Sequence, residues 1–278
     1  YIAENDAANL DWGQRVFDYT GSGFVVSKVT NFTPAYDEQS GSIDVNAYQS
    51  TSYKYEGLKT QYSRGSLGFH KMSVKNEQTG VIVNSTFLQE FPFTGRLASK
   101  ETIVPNNTTP ISEIDFTYQT IANSTSYDNT PYMIALTEAT ETKRSAASSS
   151  SSADVTIGGV LRAVTTEYED HDIYGNVGKT TRTTTGDGKT YTVVTENTYS
   201  IRDDQRSYMT HRVANSKVTT SATGLPSIIR ETDYNYDSSD GQLVSIVREP
   251  NSPSFTLTTT FEYDNWLNVI KTTQSGSG

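Results

Sequence analysis

Five ionisable residues crowd into one short run, Glu167, Glu169, Asp170, His171 and Asp172, and together they offer the oxygen and nitrogen ligands that divalent metals take. On a strand Glu167 and Glu169 share one face while the following acids fall in a loop, so the run reads as a solvated charged stretch and not as a ligand set. The only histidines are His70, His171 and His211. A Ser-His-Asp arrangement needs a fixed geometry, and the chain has no Gly-x-Ser-x-Gly elbow, no His-Glu-x-x-His and no phosphate-binding glycine loop. No catalytic residue, metal ligand or cofactor-binding residue is therefore assigned. Arg64 carries a planar guanidinium suited to a carboxylate or to bracing its own turn through backbone carbonyls, and the second use is the expected one. Asn-x-Ser/Thr sequons at Asn31, Asn84, Asn106, Asn107 and Asn123 are what chance gives in a chain rich in Asn and Thr.

The elements that would carry these side chains are strands. Thr, Val, Tyr and Ile alternate with polar residues over 13–29, 52–59, 71–89, 177–200, 216–247 and 255–273, which is the period-two pattern of half-buried strands. The nearest helical candidate is 132–142, whose threonines suit a strand as well. Turn signals stand between the strands at Gly21-Ser22-Gly23, Gly175-Asn176, Gly186-Asp187-Gly188 and Ser238-Ser239-Asp240-Gly241. Glycine supplies positive φ there and the short polar side chains bond to nearby backbone, as antiparallel hairpins require. The run KRSAASSSSSAD, at 143–154, has no side chain able to anchor a strand. It divides the chain into an N-terminal β segment, 1–143, a serine-rich loop or linker, 144–154, and a second β segment, 155–278.

Bulk properties narrow the function classes. Among 278 residues, hydrophobic types make up 34% and aromatics 11%, with 18 Tyr against 10 Phe and 2 Trp, so the apolar material sits in amphipathic rings that tolerate a wet boundary. A net charge of −10 argues against a nucleic-acid partner, since clustered Lys and Arg supply most of that affinity. There is no Cys, hence no disulfide and no thiolate metal site. No apolar run approaches a membrane span, and the first residues lack the basic start and apolar core of a signal peptide. The chain begins at Tyr1 and is expected to be an excerpt of something longer.

A phrase recurs in the second half. One copy, DYNYDSSDGQLVSIVREP, carries Tyr234, Tyr236, Asp237, Gly241 and Leu243; the next, TFEYDNWLNVIKTT, carries Phe261, Tyr263, Asp264, Asn268 and Val269. An earlier relative is TEYEDHDIYGNVGKTT, in which Tyr168-Glu169 stands for the Tyr-Asp pair and Tyr174-Gly175-Asn176-Val177 supplies the turn. Two aromatics two positions apart share a strand face and are expected to stack on rings of the next repeat. The Asp then opens the turn by accepting amide hydrogens, while Gly or Asn lets the chain reverse. A hairpin of this kind cannot bury its own face, and stacking hairpins in series solves that problem.

These phrases resemble the YD repeats of the Rhs superfamily, and their order resembles the shell region of the B components of Tc insecticidal toxins and of related plasmid-virulence proteins. In the first half the run 51–97 is similar to the same family: Ser63-Arg64-Gly65-Ser66-Leu67-Gly68-Phe69 stands where the family has a Gly-Arg-Gly-like turn leading to Leu-Gly-Phe, and Gln89-Glu90-Phe91-Pro92-Phe93-Thr94-Gly95 stands for its Gln-x-Phe-Pro-x-x-Gly phrase. Two places depart from the family pattern: Leu267-Asn268 replaces Gly-Asn, and 208–212 replaces a more apolar, Trp-containing phrase. The family's self-cleavage motif, built on an Asp-Pro pair, has no counterpart in this sequence.

The resemblance implies an all-β fold of stacked antiparallel hairpins forming a curved sheet, part of a spiralling shell. It also implies a structural, non-enzymatic role: enclosing and sequestering a toxic C-terminal passenger before delivery, in a secreted or cell-surface protein. The implied partners are other segments of the same shell and the enclosed polypeptide. An alternative from a different class is a surface adhesin whose exposed rings, with Trp12 and Trp266 foremost, stack on glycans.

Overall fold

The computed structural model describes residues 15–20, 23–32, 35–37, 41–44, 48–122, 132–148, 155–204 and 207–276. Among these there is no helix, and none long and apolar enough to cross a membrane. The strands are β1 (Val16–Asp18), β2 (Lys28–Phe32), β3 (Ala35–Asp37), β4 (Ser42–Asp44), β5 (Tyr48–Glu56), β6 (Lys59–Gln61), β7 (Gly65–Gly68), β8 (Lys71–Asn76), β9 (Ile82–Phe87) and β10 (Leu97–Ile103). They continue with β11 (Ser112–Ala122), β12 (Tyr132–Ser148), β13 (Val155–His171), β14 (Val177–Gly186), β15 (Lys189–Asp204), β16 (Ser207–Ala222), β17 (Leu225–Tyr236), β18 (Leu243–Arg248), β19 (Leu257–Tyr263) and β20 (Val269–Gly276). The helical candidate at 132–142 thus lies in β12, where its β-branched residues fit a pleated surface better than a helix. The same strand runs on through Ser148, into the segment expected as a loop, and 149–154 lie outside the described residues.

Fifteen strands form one sheet in the order β2-β5-β8-β9-β10, then β11 through β20 in succession. The pairs from β2 through β11 and from β14 through β20 run antiparallel, and the order has two ends, β2 and β20, so the sheet is not closed into a barrel. A three-stranded sheet, β1-β6-β7, and the β3-β4 hairpin stand beside it. Contacts group the chain into two compact units, Tyr1–Thr117 with Thr140–Ala163, and Tyr118–Ala139 with Val164–Gly278.

Among the described residues the buried apolar side chains are Leu67, Ala135 and Val164. Alternation explains this. On one face of the second unit, the register sets Lys179, Glu196, Lys217 and Glu231 in a row across four strands, with Thr181, Val194, Thr219 and Ile229 in another. The opposite face carries Thr180, Thr195, Val218 and Arg230. Neither face is continuously apolar, so neither demands a covering layer, and the sheet is held by its ladders and cross-strand pairs.

Candidate functional site

What recurs along the sheet is a side-chain-locked turn. At Asp264 the carboxylate accepts the backbone amides of Trp266 and Asn268, at 2.8 and 2.9 Å, and the Asn268 side-chain amide. Backbone bonds from Asp264 N to the Asn268 carbonyl and from Leu267 N to the Asp264 carbonyl close the loop. The turn at Asp172 repeats this atom for atom: Tyr174 N and Asn176 N donate to Oδ1, Asn176 Nδ2 donates to Oδ2, and Asp172 N reaches the Asn176 carbonyl. Gly175 takes φ +87°, and Leu267, standing in its place, takes φ +69°. The substitution seen in the sequence is therefore a leucine held in a conformation that favours glycine. Donated hydrogen bonds stabilise the charged form, so the Asp264 carboxyl lies below the ordinary range, chiefly through the Asn268 side chain.

A longer variant closes at Asp237, whose carboxylate takes the Ser239 hydroxyl and the amides of Ser239 and Asp240; the Ser239 side chain is the main cause of its lowered pKa. Asn76 does the same for Gln78 and Thr79, and both turns share their backbone bonds, with Gly80 N and Gly241 N donating to the carbonyls of Asn76 and Asp237. The Asn76 turn went unread in the sequence, although an Asx residue four positions before Gly is its visible signal. The role of Asp172 was hidden by its place in an acidic run. Tyr168 and Glu169, read as the Tyr-Asp pair, lie upstream in β13, and Glu169 instead pairs with Lys179 at 2.8 Å.

The repeat tyrosines act through their hydroxyls. Tyr199 donates to the Val177 carbonyl, Tyr236 to that of Val213 and Tyr263 to that of Leu243, at 2.9, 2.9 and 2.7 Å. Each of these rings also has a fixed register partner on the following strand: Tyr199 faces Val213, Tyr236 faces Leu243 and Tyr263 faces Val269. A bulge follows each partner, leaving Ala214, Val244 and Ile270 as the extra residues. The result is a zigzag: the carbonyl clasped by Tyr236 belongs to the residue facing Tyr199, and the one clasped by Tyr263 to the residue facing Tyr236. The expected ring-on-ring stacking gives way to this hydroxyl clasp, in which a half-buried phenol satisfies its O–H. Tyr236 is also overlaid by Arg212, 4.8 Å from the ring centroid, and burial raises its pKa.

Asn176 is the most engaged of the turn residues. It is 6% exposed, and Nδ2 also donates to the Thr210 carbonyl at 2.7 Å while Oδ1 meets His211 Nδ1 at 2.5 Å. With Nδ2 committed to two acceptors, Oδ1 must accept, so the His211 proton sits on Nδ1. A groove of about 410 Å³ beside this turn is lined by Lys179, Glu196 and Tyr199 among others. Of its charged groups, Lys179 pairs with Glu169 and Glu196 with Lys217, while Asp172 accepts hydrogen bonds from its own turn. Among the described residues no group of three His, Asp or Glu side chains is placed to hold a metal ion.

In the first unit the two turn phrases meet. Gln89 Nε2 donates to the carbonyls of Gly57 and Gly68, at 2.6 and 2.7 Å, and the Tyr55 and Phe69 rings pack 4.9 Å apart. Arg64 lies over the Phe91 ring, 3.1 Å from its centroid, in place of the carbonyl bracing expected for it. The Phe91-Pro92 peptide is cis, and positive φ at Gly65, Gly68 and Gly95 shapes the turns around it. Trp12 and Asn123 lie outside the described residues.

Serially clasped hairpins in one open antiparallel sheet define a β-repeat scaffold. No protein-family model and no curated protein matches the chain. Solved structures do resemble it in fold: TcdB2–TccC3 with Cdc42, TcdB2–TccC3 without its hypervariable C-terminal region, and the Tc holotoxin pore of Photorhabdus luminescens. Each is similar at a TM-score of 0.55 and 8% identity over 77% of this chain, and the chain spans 15% of the length of each. The resemblance to the Tc toxin shell read from the sequence phrases is thus borne out at the level of fold.

Proposed function

We propose that this chain is part of the wall of an Rhs-type toxin shell, which encloses and sequesters a toxic C-terminal passenger before delivery. The observation that carries the reading is an open fifteen-stranded sheet with three buried apolar residues among those described and, across β14–β17, no continuously apolar face. A wall of threonines, charged pairs and scattered rings touches an unfolded polypeptide without offering it a large sticky patch. The likeness in fold to Tc toxin structures supports the same role. The role is structural and not catalytic, the partners are the passenger and other parts of the shell, and the location is secreted or cell-surface. In the parent protein, limited proteolysis should leave a protected C-terminal fragment that disappears when this segment is deleted; protection that persists after deletion refutes enclosure.

One observation favours a second reading, glycan adhesion: Trp266 is 85% exposed at the tip of a rigid turn. A glycan array on the isolated chain separates the two, since adhesion requires binding that is lost in Trp266→Ala.

A further inference from the structure

The chain has three methionines, and two of them hold the same place in the second unit. Met133 of β12 lies against Gly175, in the turn that joins β13 to β14: a Cβ built on that glycine would stand 2.5 Å from the methionine Cε and 2.7 Å from Sδ. Met209 of β16 lies in the same way against Gly241, in the turn that joins β17 to β18. Each thioether thus comes from the strand before the hairpin and fills the space that a side chain on the turn would need. The third methionine, Met72, lies in the first unit, in β8, opposite Tyr55 and Ser85 of the neighbouring strands. At the turn opened by Asp264, Leu267 stands in place of the glycine, and β18, the strand before that hairpin, has no methionine.

The two contacts belong to one chain of interactions. Asn176, next to Gly175, donates to the Thr210 carbonyl and accepts from His211, so the first turn is fastened to β16 beside Met209. Met209 rests on the second turn, where Arg212 Nη1 donates to the Gly241 carbonyl at 2.9 Å. Both methionines are half-buried and not sealed in a core.

We infer that Met133 and Met209 form an oxidation-sensitive latch, set by hydroperoxides, that releases the turns at 172–176 and 237–241. The thioether sulfur takes one oxygen from the hydroperoxide: the O–O bond breaks, the S–O bond forms, and the remaining oxygen leaves as water or an alcohol after proton transfer. Sulfur is oxidised by two electrons and the peroxide is reduced by two. The sulfoxide is polar and needs hydrogen-bond donors, which a glycine α-carbon does not supply. At Met133 it gains them by lifting off Gly175 into water. At Met209 its oxygen competes with the Gly241 carbonyl for the Arg212 guanidinium. The inference does not depend on whether the chain encloses a passenger.

The test treats the full chain with dilute hydrogen peroxide, locates added oxygen at each methionine by peptide mass spectrometry and follows amide hydrogen exchange. With Met133 and Met209 oxidised, the turn amides of Tyr174, Asn176, Ser239 and Gly241 should exchange about 3–10-fold faster. Those of Trp266 and Asn268 should keep their rates. Methionine sulfoxide reductases of both epimer specificities should restore the original rates. The double variant Met133→Leu and Met209→Leu conserves volume and should not respond to peroxide; if it does not fold, the chain before and after reductase treatment decides alone. Unchanged exchange at both turns once both sulfurs carry oxygen, equal acceleration at Trp266 and Asn268, or sulfurs that stay unoxidised where free methionine is fully converted would each overturn the inference.

Discussion

The same motif position should carry two very different costs. Asn176→Ala removes three side-chain hydrogen bonds and strands the Thr210 carbonyl, whose residue is 2% exposed, together with one oxygen of Asp172 and Nδ1 of His211. A buried acceptor left unpaired costs about 1–3 kcal/mol and a lost bond to a charged group about 1.5–3 kcal/mol, while His211 regains water. The sum is about 3–5 kcal/mol, at the upper end for one substitution. Asn268→Ala removes bonds to Asp264 alone, at an exposed turn, and should cost less than about 1 kcal/mol. In urea, followed by far-UV circular dichroism, a slope of about 3 kcal/mol/M turns these figures into midpoint shifts of about 1–1.7 M and below about 0.3 M. Equal shifts for the two variants would refute the view that the long-range bond to Thr210, and not the turn itself, makes this position matter.

Other outcomes follow from the same contacts. Tyr236→Phe should cost about 1 kcal/mol by removing the clasp on Val213, measurable as a lowered urea midpoint with an unchanged slope. Gly57→Ala should cost more than Gly188→Ala: both have positive φ, but a Cβ at Gly57 would meet His70 Cβ at 2.9 Å, an atom fixed to the backbone, whereas at Gly188 it meets nothing; a difference under about 0.5 kcal/mol in denaturant titrations would contradict this. Asp115 has its pKa raised by burial, with Glu113 and Glu101 adding to it, so its charged form is disfavoured in the folded state and its penalty disappears as pH falls through that raised value. Asp115→Asn should then raise the thermal midpoint at neutral pH and lose the advantage in acid. The lowered pKa values of Asp237 and Asp264 act in the opposite direction: their contribution is present above the unfolded carboxylate range and is lost only as pH falls through the depressed folded values. A melting curve against pH checks both signs.

Much of the architecture was legible because it depends on local chemistry. Alternation along 177–200 and 216–247 marked strands, and Asp187-Gly188 marked a two-residue hairpin turn, which both residues close with positive φ. The Asp of each Tyr-Asp pair was legible as a turn opener for the same reason. What escaped depends on register. Nothing near Asn176 indicates Thr210, because their contact requires two intervening strands to be laid down in step. The bulges that aim Tyr199, Tyr236 and Tyr263 at carbonyls are invisible to a period-two count, which sends alternate rings to one face and suggests stacking instead. Arg64 settled on Phe91, a partner from another loop that no local pattern identifies.

The zigzag from Tyr199 to Val269 also governs how the sheet responds to mechanical load. Each clasp joins a tyrosine to the strand immediately before it, so a pull on the end of β20 is borne first by its ladder to β19, and the load passes to the Tyr263 clasp only when β19 itself begins to lift. An antiparallel edge pulled in this way peels, breaking its bonds in sequence and not together, and each hairpin adds one tooth to the resistance. Extension under force should therefore advance in hairpin-sized steps of similar height, and Tyr263→Phe should lower one tooth and leave those deeper in the sheet unchanged.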